Sequence, residues 1–284
     1  METQITSPVT GDKGVAGSPG SRPAEEHYDL RIYTLGRFTI TRDGESIDHT
    51  RKSPAKPLQL LKVLIATGGR QVGVANLASI IWPDKDGDLA QRTFDTTLHR
   101  LRKYLGDDHY LTMEDGRLTL NSGRVWVDVW ECERQLTNLR SLLSRRMSAD
   151  TANQINHCAE RIMRIYQGHF LASDETSCWS VSLEERLRNR YVQGMLALGR
   201  FWEQQGSPGN AVLCYQKGIE VDDLIETFYQ RLMLCLDQCG RQPEATACYH
   251  QCRHVLAVGL GLQPTGETRQ IHETILSHYT HQAG

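Results

Sequence analysis

The stretch DLAQRTFDTTLHRLRKYLG, residues 88–106, decides how this chain is read. Phe94, Leu98, Leu101 and Leu105 recur at i, i+4, i+7 and i+11, which makes one apolar stripe along a helix. Asp88 is placed to cap its start. The rest of its surface offers Gln91, Arg92, Thr93, Thr96, His99, Arg100, Arg102 and Lys103. A core-facing stripe backed by cations and hydrogen-bonding side chains has the chemistry of a helix that reads the major groove. The plainer alternative is a solvated charged face, the usual fate of such runs.

Upstream, residues 29–42 alternate around a turn at Leu35-Gly36-Arg37 and read as a hairpin. Asp43-Gly44 is a second turn, and Ser46–Asp48 a short third strand. Pro57 suits the first turn of a helix. Leu58, Leu61, Leu64 and Ile65 keep helical spacing until Gly68-Gly69 stops them. A second helix carries Val74, Leu77, Ile80 and Ile81 and ends at Trp82-Pro83, because a residue before proline is pushed away from α. Downstream, Glu114-Asp115-Gly116-Arg117 between two β-like runs signals a hairpin, and Val125–Val127 is a further strand. Strands, three helices and a hairpin in this order make a winged helix-turn-helix over residues 28–128. Residues 1–27, mixed in charge and rich in Gly, Ser and Pro, are expected to be a disordered tail.

The chain has 284 residues, 39% hydrophobic and 23% charged, with a net charge of −2. That balance does not announce a nucleic-acid binder, so the case rests on local charge. Residues 28–128 hold 15 Lys/Arg against 13 Asp/Glu. Without a long apolar run or a signal-like start, no membrane association is expected and the chain is placed in the cytoplasm.

After Asp128 the pattern is all helix. Cys132, Leu136, Leu139 and Leu143 form a stripe, and further helices are predicted at about 149–167, 178–206, 209–221, 224–239, 241–258 and 266–280. Gly206 and Gly240, Ala211 and Ala245, Cys214 and Cys248, and Tyr215 and Tyr249 each stand 34 residues apart, the tetratricopeptide period. The fold class expected is therefore mainly α with a small β part: a winged helix followed, over 129–284, by an all-α tetratricopeptide-like repeat domain.

Several motifs in fixed order resemble the SARP-type bacterial transcriptional activators. They are Leu35-Gly36-Arg37-Phe38, Arg51-Lys52, Ile81-Trp82-Pro83-Asp84, the run from His99 to Gly106, and Val125-Trp126-Val127-Asp128-Val129-Trp130. Tyr166-Gln167-Gly168-His169-Phe170-Leu171, Arg231-Leu232-Met233 and Leu260-Gly261-Leu262-Gln263-Pro264 are similar to the bacterial transcriptional activator domain that accompanies them. The resemblance implies an activator that binds tandem direct repeats near a promoter, with a second copy of the chain on the DNA, and contacts RNA polymerase. The start of the third helix, Ala90-Gln91-Arg92-Thr93, departs from the family's Ala- and Asn-rich start, so no target sequence is inherited. Longer members add an ATPase module, and no G-x-x-x-x-G-K-[ST] occurs here.

Double-stranded DNA is thus the expected partner. Arg92, Thr93, Thr96 and Arg100 are assigned to bases, and His99, Arg102 and Lys103 to phosphate or interdomain contacts. Arg117 at the hairpin tip is a candidate for the minor groove. Arg51, Lys52 and Lys56, before the first helix, are candidates for phosphate. Cys235, Cys239, Cys248 and Cys252, with His250 and His254 near, tempt a zinc reading. Cys248 has a repeat partner in Cys214, which favours packing thiols, so no metal or cofactor is expected. No nucleophile, H-E-x-x-H or phosphate-loop motif points to an enzyme. The competing class is an interaction scaffold whose winged helix does not read DNA.

Overall fold

The computed structural model describes residues 28–47, 54–85, 87–172, 174 and 178–282. The expected tail, Asp48, Arg51 and Lys52 lie outside them. β1 (Leu30–Tyr33) and β2 (Thr39–Arg42) pair antiparallel with Ile32 opposite Ile40, and β3 (Glu45–Ser46) adds two residues at the edge. α1 (Ala55–Ala66) follows and stops before Gly68 and Gly69, both at positive φ. Next come β4 (Val72–Gly73), α2 (Val74–Ile81) and α3 (Gly87–Leu105). A single 3-10 turn, Asp108–Tyr110, leads to the hairpin β5 (Leu111–Glu114) and β6 (Arg117–Leu120). The hairpin turns through Asp115 and Gly116 at positive φ. β4 completes a small sheet of order β4-β6-β5. The winged-helix expectation holds, with two corrections. α3 already begins at Gly87, so Asp88 lies inside its first turn, where its charge still suits the helix dipole. Arg117 is the first residue of β6, not the tip.

β7 (Val125–Val127) pairs parallel with β1, Leu30 beside Val125 and Ile32 beside Val127. The first sheet therefore has the order β3-β2-β1-β7, closed by the last strand before the helical half. That half runs α4 (Asp128–Leu143), α5 (Ala149–Ile165), α6 (Cys178–Gln204), α7 (Pro208–Val221), α8 (Glu226–Gln238), α9 (Gln242–Leu260) and α10 (Gly266–Gln282). On α4, Leu142 is buried and Leu143 half-buried, a one-residue rotation of the expected stripe.

The 34-residue period has a packing cause. Ala211 and Ala245 are both fully buried, where a larger side chain would hold adjacent helices apart. Tyr215 is fully buried and its hydroxyl donates to Glu203 at 2.5 Å, a carboxylate that Arg231 also engages. A Cβ on Gly218 would overlap the Phe228 ring, so glycine lets α7 and α8 close up. Tyr249 is half-buried instead and stacks at 4.0 Å on His272 of α10, the helix that covers the end of the array. Apolar side chains from both halves form one continuous cluster.

Candidate nucleic-acid interface

α3 is held against α1 and α2 by its apolar stripe. Phe94, Leu101 and Leu105 are wholly buried and Leu98 nearly so. Each such burial contributes about 1.5–3 kcal/mol, which fixes the helix's rotation and hence which side chains face out. Arg92, Thr96, His99, Arg100 and Lys103 are all exposed. At 100° per residue, Arg92, Thr96, His99 and Lys103 fall on one strip opposite the stripe, with Arg100 beside it. His99 and Lys103 thus share the surface of the residues assigned to bases. Leu89 joins them, 59% exposed on the first turn. Sequence reasoning passed over it, although an apolar residue outside the core stripe was a visible signal.

The threonines of α3 bond back to their own helix. Thr96 Oγ1 donates to the Arg92 carbonyl at 2.9 Å and Thr93 Oγ1 to the Leu89 carbonyl at 2.7 Å. With its hydrogen so used, Thr96 presents an acceptor outward. Thr93 lies on the flank and also accepts from Lys85 Nζ at 3.2 Å, which ties the α2–α3 connection to the helix start. Lys85 is a second residue that sequence reasoning missed. Arg102 faces inward. It is half-buried, donates to the Leu111 carbonyl at 2.8 Å, and so bolts α3 to the wing strand β5. Arg117 donates to the Gln71 carbonyl at 3.2 Å, and Arg70 to Ser122 at 3.1 Å. Asp115 makes the hairpin tip itself acidic, and Glu114 stands opposite Arg117 at the strand ends. Lys56 reaches Gln59 at 3.0 Å.

The two halves meet through two of the motifs quoted above. Gly36 N donates to the His169 carbonyl at 2.9 Å, and Leu171 N to the Thr34 carbonyl at 2.7 Å. Gly36, at φ +84, lies so close to Gln167 that a Cβ would stand 2.7 Å from its carbonyl oxygen. Glycine is needed there for the turn and for the approach. Beside this clasp, Asp128 opens α4 with a buried carboxylate. It accepts from Thr34 N at 2.7 Å, Thr34 Oγ1 at 2.6 Å, Leu35 N at 2.8 Å and Val129 N at 2.7 Å. Burial pushes its carboxyl above the usual range, and these donors limit the rise. Trp130 Nε1 donates to the Ile65 carbonyl at 3.3 Å, its ring packed over Gly69 at the end of α1. No slack segment separates the wing from the helical half.

Of the four cysteines weighed for zinc, Cys235, Cys248 and Cys252 are buried and Cys239 is exposed. Cys248 Sγ points at the Tyr229 carbonyl and Cys235 Sγ at Glu203. Burial pushes the thiols of Cys235, Cys248 and Cys252 up to about 12, the behaviour of packing groups. Among the described residues no three His, Cys, Asp or Glu side chains are grouped to hold a metal ion. Nor is any described helix long and apolar enough to cross a membrane.

Residues 127–276 match the family described as the bacterial transcriptional activator domain, more than half of the chain. The regulatory protein AfsR of Streptomyces coelicolor is 27% identical over 261 residues, covering 89% of this chain and 25% of its own length. AfsR of Streptomyces griseus is 26% identical over 249 residues, covering 87% and 24%. The chain thus spans about a quarter of the length of these relatives. Mycobacterium tuberculosis EmbR, solved in complex with a low-affinity phosphopeptide, has a TM-score of 0.61 at 18% identity over 89% of this chain and 66% of that one, a likeness of fold. With its helical half matched along its length and joined to a winged helix without slack, the chain belongs to the bacterial transcriptional activator domain family, among the SARP-type transcriptional activators.

Proposed function

We propose that this chain is a sequence-specific DNA-binding activator of transcription, working in the cytoplasm, with residues 28–128 reading DNA and residues 129–284 contacting RNA polymerase. The observation that carries the reading is the exposed strip of α3, set opposite a buried stripe that leaves the helix no freedom to rotate. In the major groove Arg92 and Arg100 suit guanine, the acceptor of Thr96 suits an amino group, and Leu89 suits a thymine methyl. Lys103 and His99 lie toward the C-terminal end of the strip, nearer the phosphates. Lys56, Lys85, Arg70 and Arg117 border the same unit as further phosphate contacts. Two copies on direct repeats, each with its helical half fixed by the Asp128 and Trp130 joints, would present two similarly oriented surfaces to polymerase.

Selection of bound duplexes from a random pool tests this. The pool should converge on a motif, and affinity for it should fall steeply with salt, with a slope near −4 if about four phosphates are neutralised. A pool that stays random, or binding indifferent to salt, would refute the reading and favour the protein scaffold.

A further inference from the structure

The reading above gives no role to the cleft between the two halves. It encloses about 530 Å³, within the roughly 300–1,000 Å³ typical of small-molecule sites. α1 forms one wall with Leu58, Gln59 and Lys62, and His169 to Ala172, with Trp179 and Glu184 of α6, form the other. Phe170 and Trp179 make that second wall apolar and aromatic.

Three features distinguish this cleft from a gap in packing. His169 Nδ1 is buried without a hydrogen-bond partner, and Glu184 Oε1, 3.7 Å away, is too far to bond it. Leu171, also in the lining, holds φ +51, a strained conformation that gathers at ligand clamps. The charges are also unequal. Lys62 is engaged by Asp174 and lies 4.2 Å over the Phe38 ring, so Glu184 faces His169 with no Lys or Arg bound to it among the described residues.

We propose that this cleft binds a small aromatic molecule bearing an amine or hydroxyl, held by both halves at once. The ring would lie between Trp179 and Leu58. The donor would bond Glu184 Oε1, a carboxylate on the cleft wall with part of its surface open. The Glu184 carboxylate rejects an anionic ligand. The walls belong to different halves, so an occupied cleft pins their relative position. Binding is measured without DNA, so its outcome is separate from that of the DNA reading.

The test titrates the full chain with 2-naphthylmethylamine, 2-naphthol and 2-naphthoate, followed by saturation-transfer NMR and calorimetry. The amine and the naphthol should saturate with Kd on the order of 1 mM, and the naphthoate should bind at least about tenfold more weakly. Gln59→Trp, which places an indole in the cleft, should abolish binding while the circular dichroism stays unchanged. Glu184→Gln should erase the advantage of amine over naphthoate and leave the naphthol bound. If Gln59→Trp fails to fold, the Glu184→Gln comparison decides. The proposal is overturned by naphthoate binding as tightly as the amine, or by no saturation of amine and naphthol at about 10 mM. Undiminished binding in a folded Gln59→Trp, or an unchanged amine preference in Glu184→Gln, would overturn it equally.

Discussion

Replacing Asp128 by alanine should loosen the joint between the halves more than any surface change. The carboxylate serves three backbone N–H groups, those of Thr34, Leu35 and Val129, and the Thr34 hydroxyl. The hydroxyl can turn to another acceptor, but the backbone donors cannot, and Thr34, Leu35 and Val129 are all within 2% of full burial. Each donor left unpaired costs about 1–2 kcal/mol, and part of the sum is recovered because a charge is no longer buried, leaving a net loss of about 3 kcal/mol. Asp128→Asn should lose less, since its carbonyl still accepts while its amide faces donors. Urea unfolding followed by circular dichroism gives the global loss. Hydrogen exchange at the Thr34 and Leu35 amides gives the local one, expected to quicken about 100-fold if the joint opens with that energy. A loss under about 1 kcal/mol in Asp128→Ala, or an Asn variant as damaged as the Ala one, would refute the claim that the carboxylate organises the joint.

Other expectations follow from single contacts. Arg100→Ala should relax sequence preference by about 1–3 kcal/mol at one base pair, whereas Lys103→Ala should weaken all duplexes alike and reduce the salt slope by about 1; parent-like binding by both would exclude α3 as the reader. Trp130→Ala should cost about 2 kcal/mol, broaden the interdomain geometry seen by small-angle scattering, and reduce transcriptional output more than DNA affinity; unchanged scattering and output would speak against a fixed joint. Gly218→Ala drives a methyl into the Phe228 ring and should destabilise by about 1–3 kcal/mol in thermal melts, where a parent-like melt would contradict the close approach of α7 and α8. His272 lies under Tyr249 with Nε2 unpartnered, and burial, then His250, holds its pKa below the usual range. As pH falls through the ordinary histidine value the unfolded chain takes up a proton that the folded chain resists, so stability falls with pH. His272→Phe should flatten that dependence between about pH 7.5 and 5.5, and an undiminished slope would count against the assignment.

What the sequence made legible followed the length of each pattern. The stripe of α3 spans three turns with four large apolar residues, and the 34-residue period repeats at four positions, so both could be read directly. β4 is two residues long and leaves no alternation to detect. β7 was visible as a strand, but alternation says nothing about its partner, and its parallel pairing with β1 depends on the path of everything between. Among the candidate contacts, helical phase separated Phe94 from Arg92 without error. It could not show that Arg102 would bend inward to Leu111, because that depends on a strand nine residues away folding back. The meeting of Leu35–Phe38 with Tyr166–Leu171 was equally out of reach: both stretches were noticed, but only the folded chain places one glycine-bearing turn against the other.

The pairing of β1 with β7 also sets an order for making the protein. Thr34 waits for Asp128, a partner 94 residues later in the chain, and such distant closures are slow to form. During synthesis the first sheet stays incomplete until its last strand has emerged, and that strand runs straight into α4. A nascent chain therefore completes its N-terminal sheet only as the start of the helical half emerges. A chain stalled or cleaved before β7 would release an N-terminal fragment with β1 unpaired along one edge, a template for aggregation.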